Sequence, residues 1–309
     1  MPARTIQHIF FQLTLLAVQA GCLLLLVLAR FGQNPPEALP LPTIVFFGAM
    51  LSGILHPLSR DFRVRELGVA VVLAGLLGAG LNLLLQVSPD HTAAWLLAPA
   101  TALAITLALR LVGQERGDML SAMTVYTTCT VLANYTLDSF LPIGDFFLVN
   151  VGTFFFGVTF TQRDRVHRYG RRNVYLMIAV AAVANVIMSV AVDTPMRYVV
   201  VAFIAILIAE TADTEIYQRL LHRPWLVRVA RSNAISAPLD TIIFTVLAFF
   251  GEDFATFGWM NQVIITDILV KFLASMLVAF GVVTWLRRAA FLQVSGQALP
   301  DARHGADRL

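Results

Sequence analysis

The sequence predicts an all-α protein that crosses a membrane about ten times and keeps both termini in the cytoplasm. Three observations lead there. Of 309 residues, 58% are hydrophobic and only 13% charged, with a mean hydropathy of +0.76; soluble chains carry about 25% charged residues. The apolar residues fall in stretches of about 20, the helix length that crosses a ~30 Å hydrocarbon layer. The arginines crowd into every second connection, as expected of a multi-pass protein. This pattern excludes a soluble domain large enough for an active site of its own. It also assigns the net charge of +3 to membrane surfaces rather than to nucleic acid.

The spans run roughly over residues 8–30, 39–58, 66–87, 92–110, 119–138, 145–162, 173–192, 196–219, 231–251 and 256–286. In the first, Val18-Gln19-Ala20-Gly21-Cys22 is similar to a lipoprotein cleavage site. Gln19 stands where an aliphatic residue is wanted and Leu23 to Leu28 continue the apolar run, so the segment reads as a retained span. Asn34-Pro35-Pro36 ends it, and His56 beside Pro57 near the end of the second span reads as an interfacial cap. The third span carries Ala70, Ala74, Gly75, Gly78 and Gly80, small residues spaced to let helices approach closely. Ser88-Pro89-Asp90 precedes the fourth. Cys22 and Cys129 lie inside apolar stretches and read as small buried hydrophobes, not as disulfide partners or metal ligands.

Orientation follows from the arginine count. One set of connections holds Arg4; Arg60, Arg63 and Arg65; Arg110 and Arg116; Arg163, Arg165, Arg168, Arg171 and Arg172; Arg219, Arg223, Arg228 and Arg231; and Arg287 and Arg288. The opposite set holds Glu37, Asp90, Asp138, Asp145, Asp193, Glu252 and Asp253, with only Arg30 and Arg197 nearby. Polarity within the spans then divides the chain. Residues 1–117 form a four-span extension almost free of ionisable groups at depth, 118–288 form a six-span unit, and 289–309 form a short polar tail expected to be disordered.

The six-span unit holds the candidate chemistry. The only lysine, Lys271, sits mid-way along the last span, one turn after Asp267. In the eighth span, Glu210, Asp213 and Tyr217 share a helix face, and Glu215 with Arg219 reads as a simple interfacial pair. In the ninth, Asn233, Ser236 and Asp240 share a face beside Pro238. Asp240 is either a structural partner of Lys271 or a substrate contact. Glu210, Asp240 and Asp267 against Lys271 leave a net charge of −2 if all ionise, so water, a proton or a ligand's donors must compensate. That suits a transport pathway. Asn185, Asn150, Thr153, Thr159 and Thr161 add hydrogen-bonding groups, a type that often serves as glue between helices.

Gly152-Thr153-Phe154-Phe155-Phe156-Gly157 through Asp164 and Tyr169-Gly170 resembles a pattern of the VUT family, YhhQ type. Ala209-Glu210-x-x-Asp213 with Tyr217, Arg231 with Ser236, Asp240-Thr241-x-x-Phe244 and Asp267-x-x-x-Lys271 resemble its later spans. The resemblance covers residues 118–288 and implies an inner-membrane importer of queuosine precursors such as 7-cyano-7-deazaguanine. It offers no role for the four extra N-terminal spans. A guanine-like edge presents two neighbouring N–H donors that a carboxylate accepts as a pair, so Asp240 or Glu210 is expected to grip it. Phe154, Phe155, Phe156, Phe160 and Phe244 are candidate cavity walls.

Expected partners are a small heterocycle and membrane lipid, with a homo-oligomer open and no nucleic acid. A different purine-like base or a vitamin is the alternative cargo. A non-transporting binding or assembly component is the alternative class. No enzyme activity is expected, since HExxH, GxSxG and Walker sequences are missing. The six histidines lack metal-ligand spacing, so neither metal nor cofactor is expected.

Overall fold

The computed structural model describes residues 41–59, 62–85, 94–137, 139–191 and 195–293. The first predicted span with Cys22 and the stretch beyond residue 293 lie outside them. The helices are α1 (Leu41–Leu58), α2 (Val64–Leu85), α3 (Ala94–Leu111), α4 (Gln114–Tyr135), α5 (Val151–His167), α6 (Arg171–Ala191), α7 (Met196–Arg219), α8 (Trp225–Phe249) and α9 (Phe257–Gln293). Between α4 and α5 lie two short strands, β1 (Phe140–Ile143) and β2 (Phe147–Asn150).

Outward apolar stripes show what these helices face. On α6, Leu176, Val180, Val183, Ile187 and Val190 are exposed at alternating steps of four and three, and on α9 Ile265, Leu269, Leu273 and Leu277 repeat every four. Such stripes on the outside of a helical bundle mark a lipid-facing surface. Among the described residues, three stretches are long and apolar enough to cross a membrane: Arg171–Val190, Trp225–Phe249 and Phe257–Leu277. Leu96–Leu111 is a shorter apolar helix. The chain is a helical membrane protein.

Residues 145–162, read from sequence as one span, divide at Asn150. The first part is a β-hairpin pairing Phe140 with Asn150 and Ile143 with Phe147, turning at Gly144, whose positive φ of 63° suits a residue without Cβ. Asn150 closes the hairpin and starts α5: its side-chain Oδ1 accepts from Gly152 N at 2.7 Å, and its Nδ2 donates to Leu137 O at 2.5 Å. Leu137, Phe140, Leu148, Val201, Phe249 and Val263 bury the hairpin's inner side. At the other extremity, α9 continues to Gln293, into the stretch from Ala289 expected to be tail.

Helix α5 is the centre of the bundle. Of its residues only Phe154 is exposed, and it packs against α4, α6, α8 and α9. Close approach depends on Gly157, where an added Cβ would stand 2.4 Å from Ala274 Cβ of α9. The N-terminal helices join this bundle through α1, whose Gly53 faces Val125 of α4 so closely that a Cβ would meet Val125 Cγ2 at 1.8 Å. Leu51, Leu55, Leu67, Ala70, Ala74 and Ala102 form the core between α1, α2 and α3. Ala70, Ala74, Gly75 and Gly78 are thus buried, whereas Gly80 is exposed. His56 is not a surface cap: it is 3% exposed, with Nε2 3.5 Å from Asp118 Oδ1. Cys129 is free and fully buried.

Gly157→Ala should lower stability by about 1–3 kcal/mol, because it overpacks the α5–α9 contact. Adding Ala274→Gly should recover much of that. Thermal unfolding of the purified chain in detergent checks both, and equal melting of Gly157→Ala and wild type would contradict the close contact.

Candidate functional site

The polar faces of α5, α7, α8 and α9 meet in the middle of the bundle, and their focus is a residue placed by sequence in a connection. Arg163 lies one turn before the end of α5 and is fully buried. Its Nη1 donates to Glu210 Oε2 at 3.1 Å, and its Nη2 reaches Asp213 Oδ1 at 2.9 Å and Asn233 Oδ1 at 3.1 Å. Asp164 Oδ1 lies 3.5 Å from the same nitrogen. The guanidinium carbon also sits 5.2 Å from the Phe160 ring centre. Arginine's planar fork suits this task, since from one fixed plane it ties its own helix to α7 and α8 at once. Ser236 Oγ donates to Asp213 Oδ1 at 3.1 Å, and Tyr126 Oη approaches Glu210 Oε1 at 3.5 Å.

Glu210 therefore has a positive partner, 47 residues earlier in the chain. Arg163 belongs inside the protein and not with the connection arginines, because α5 runs on to His167. A signal for it existed. Thr153, Phe156, Phe160 and Arg163 recur at three- and four-residue steps, one helix face. Glu215 likewise pairs with Arg171 of α6 rather than with Arg219. That pair is exposed, so it contributes little to stability.

A second tier lies one to two turns further along α8. Lys271 Nζ donates to Asp240 Oδ2 at 2.8 Å and to Thr241 Oγ1 at 2.9 Å, and stands 4.9 Å from the Phe156 ring centre. The sequence spacing suggested Asp267 as its mate, yet the contact Lys271 makes is across to α8. Asp267 instead faces the Thr153 side chain and the Asn150 backbone. Its Oδ1 is buried with no hydrogen-bond partner among the described residues. A free carboxylate oxygen in that setting is costly, and such exceptions point to a missing donor.

Asp240, Asp267 and Lys271 line one cavity with Asn150, Thr153 and Phe156; Phe244 and Phe249 supply a further aromatic wall. Room for the centres of water molecules in it is about 20 Å³, and one buried water needs roughly 10–15 Å³ on that measure. The site is therefore nearly closed, and a bicyclic ligand requires rings to swing or helices to part. A larger cavity of about 330 Å³ lies between α4, α6 and α7. It contains no ionisable group, and Val183, Ile187 and Val200 on its wall are outwardly exposed, so it belongs to the lipid-facing surface.

The remaining expected residues distribute as follows. Asn185 is remote from the charges, where it clips α6 to α4 by accepting from Asn134 at 2.7 Å and donating to Thr130 at 3.0 Å. Tyr217 stacks on His167 with ring centres 5.0 Å apart, and the Arg228 guanidinium carbon stands 4.9 Å from the Tyr217 ring centre. Phe155 packs into the α4–α5 core, Phe154 faces outward, and Phe160 supports Arg163 rather than the cavity. Among the described residues no group of His, Cys, Asp and Glu is arranged to hold a metal ion.

Residues 191–286 match a family described as putative vitamin uptake transporter. That stretch contains α7, α8 and the part of α9 bearing Asp267 and Lys271, but not α5 with Arg163. The Gly152-to-Tyr169 pattern falls outside it. No curated protein matches the chain, and no solved structure does.

Substitutions at Arg163 and at the Lys271–Asp240 pair probe the two tiers. Arg163→Ala strands buried carboxylates and should cost about 3–5 kcal/mol, enough to abolish a folded peak; Arg163→Lys, lacking the fork, should restore it only in part. Lys271→Met should destabilise through an unpaired Asp240, and adding Asp240→Asn should regain most of the loss. Melting temperatures decide, and additive losses in the double variant would contradict the pairing.

Proposed function

We propose that this chain imports a 7-deazapurine, such as 7-cyano-7-deazaguanine, across the cytoplasmic membrane as a multi-pass transporter. Support for transport comes from the match of residues 191–286 to an uptake-transporter family and from ionisable groups gathered on facing helices. Charges at that position are costly, and where they persist they mark substrate or ion routes. The finer reading of the cargo rests on one observation: a buried, unpartnered Asp267 Oδ1 in a cavity walled by phenylalanines. A flat neutral heterocycle supplies the missing N–H donor and stacks on Phe156, Phe244 or Phe249. Asp240, pinned by Lys271, accepts the neighbouring N–H.

The grip thus moves from Glu210, which Arg163 occupies, to Asp267 with Asp240. Ten spans with cytoplasmic termini complete the reading and rest on the arginine bias. In that orientation the Arg163 tier lies on the cytoplasmic side of the cavity, and the hairpin on the outer side. Alternating access then requires the Arg163 tier to open once the cargo is seated.

A second reading, another purine-like base or a vitamin, is favoured by the description of the matched family. The same cavity serves it, and competition between unlabelled compounds separates the two. A substrate-binding component of a larger importer would show binding without transport when reconstituted alone.

The deciding experiment expresses the chain in bacteria lacking both precursor synthesis and their own importer, supplies 7-cyano-7-deazaguanine, and measures queuosine in tRNA. Queuosine should be restored. In Asp267→Asn the half-saturating concentration should rise roughly ten- to hundredfold, the value of one hydrogen bond to a charged group. No queuosine from a chain present in the membrane would remove this cargo.

A further inference from the structure

The Arg163 tier holds more negative charge than its geometry balances. Asp164, Glu210 and Asp213 surround one guanidinium, so full ionisation leaves a net charge of −2. Arg163, Asp164 and Asp213 are fully buried, and Glu210 is 4% exposed. Water does not screen such a cluster, and an uncompensated buried charge costs several kcal/mol. The hydrogen bonding is incomplete in the same place. Asp164 Oδ2 and Asp213 Oδ2 have no partner among the described residues. Neither does Asn233 Nδ2, on a fully buried side chain whose Oδ1 already accepts from Arg163. Arg163 Nε is a second donor without a partner among the described residues. Those two donors leave the balance of charge unchanged, and two orphaned carboxylate oxygens within a surplus of negative charge indicate a missing cation.

We propose that this tier is the binding site for the coupling proton, carried on the Asp164–Glu210–Asp213 carboxylates; the inference rests on the transporter reading above. A proton fits better than a metal cation. Arg163 already directs its N–H groups at one oxygen each of Glu210, Asp213 and Asp164, which leaves a sodium ion too few free oxygens, whereas a proton requires only one carboxylate oxygen. On arrival it forms one O–H bond, turning an orphaned acceptor into a donor and reducing the net charge to −1. On Glu210 it also weakens the Arg163–Glu210 tie between α5 and α7. The proton leaves to water when the tier opens to the cytoplasm, and no other bond changes.

Groups facing the tier set its pH response. They are Tyr126 from α4, His167 on α5, Tyr217 on α7, and Arg228 and Asp240 on α8. Beyond them stand Arg171 of α6 and Lys271 of α9, the latter held by Asp240. Burial acts first against protonation of His167, with Arg163 and Arg171 adding to it, so the proton resides on the carboxylates rather than on the imidazole.

The test uses the purified full chain in proteoliposomes loaded with a pH-sensitive dye, with 7-cyano-7-deazaguanine as the probe. Counterflow of labelled probe reads transport without a gradient, and dye quenching reads acid entry. In wild type, acid should enter with the probe, and Asp164→Asn or Asp213→Asn should lose acid entry per probe moved. Probe entry without acid in wild type, or an unchanged ratio in both variants, overturns the proton site while leaving transport standing. No counterflow in wild type overturns the proposed import of this cargo, and the proton coupled to it falls with it. A folded variant that moves no probe is judged by infrared spectroscopy. Loss of the protonated-carboxyl band supports the assignment, and its persistence in both variants overturns it.

Discussion

A guanidinium cannot be stripped of water without compensation, and that constraint on Arg163 organises the protein. Once α5 runs through the middle of the bundle, its last turn carries a full positive charge into a low-dielectric region. Acceptors must come from elsewhere, so α7 supplies Glu210 and Asp213 and α8 supplies Asn233. These contacts fix the rotation of both helices about their axes. That rotation in turn points Asp240 at Lys271 and leaves Ser236 on Asp213.

The same helix links the charged core to the hairpin. Asn150 ends β2 and caps α5, and Leu148 of β2 donates from its backbone to Thr266 Oγ1 beside Asp267, so the position of the cavity's carboxylate depends on the hairpin's register. Gly157 brings α9 near enough for Lys271 to span to α8. Small residues at helix contacts and polar residues at the centre divide the work here, as expected where lipid offers no hydrophobic drive between helices. The N-terminal helices attach to α4 through Gly53 and contribute no residue to the cavity among those described.

Much of the helix layout was legible because apolar runs and turn residues are local signals. Glu210, Asp213, Asn233, Ser236, Asp240, Asp267 and Lys271 were legible as inward-facing because helical spacing is local too. Pairing was legible only in part. Asp240 stood as one candidate partner of Lys271 beside Asp267 one turn away, and the structure chooses Asp240, 31 residues away, because a neighbouring helix offers a direct line that its own helix does not. Arg163 was counted with surface arginines since its neighbours Arg165 and Arg168 resemble a loop cluster. The hairpin escaped because Phe146, Phe147, Leu148 and Val149 are as apolar as any span start, and periodicity cannot tell four such residues apart from a helix.

The central claim is that the Asp240–Lys271 tier belongs to a ligand site and is more than a structural tie. The Lys271→Met, Asp240→Asn double variant separates these roles, because it removes both charges together. The measurement is calorimetric titration of 7-cyano-7-deazaguanine into the purified double variant and wild type. The expected result is a folded protein, melting close to wild type, in which saturable binding has disappeared. A folded double variant that binds as tightly as wild type would contradict the claim and reduce the pair to scaffolding.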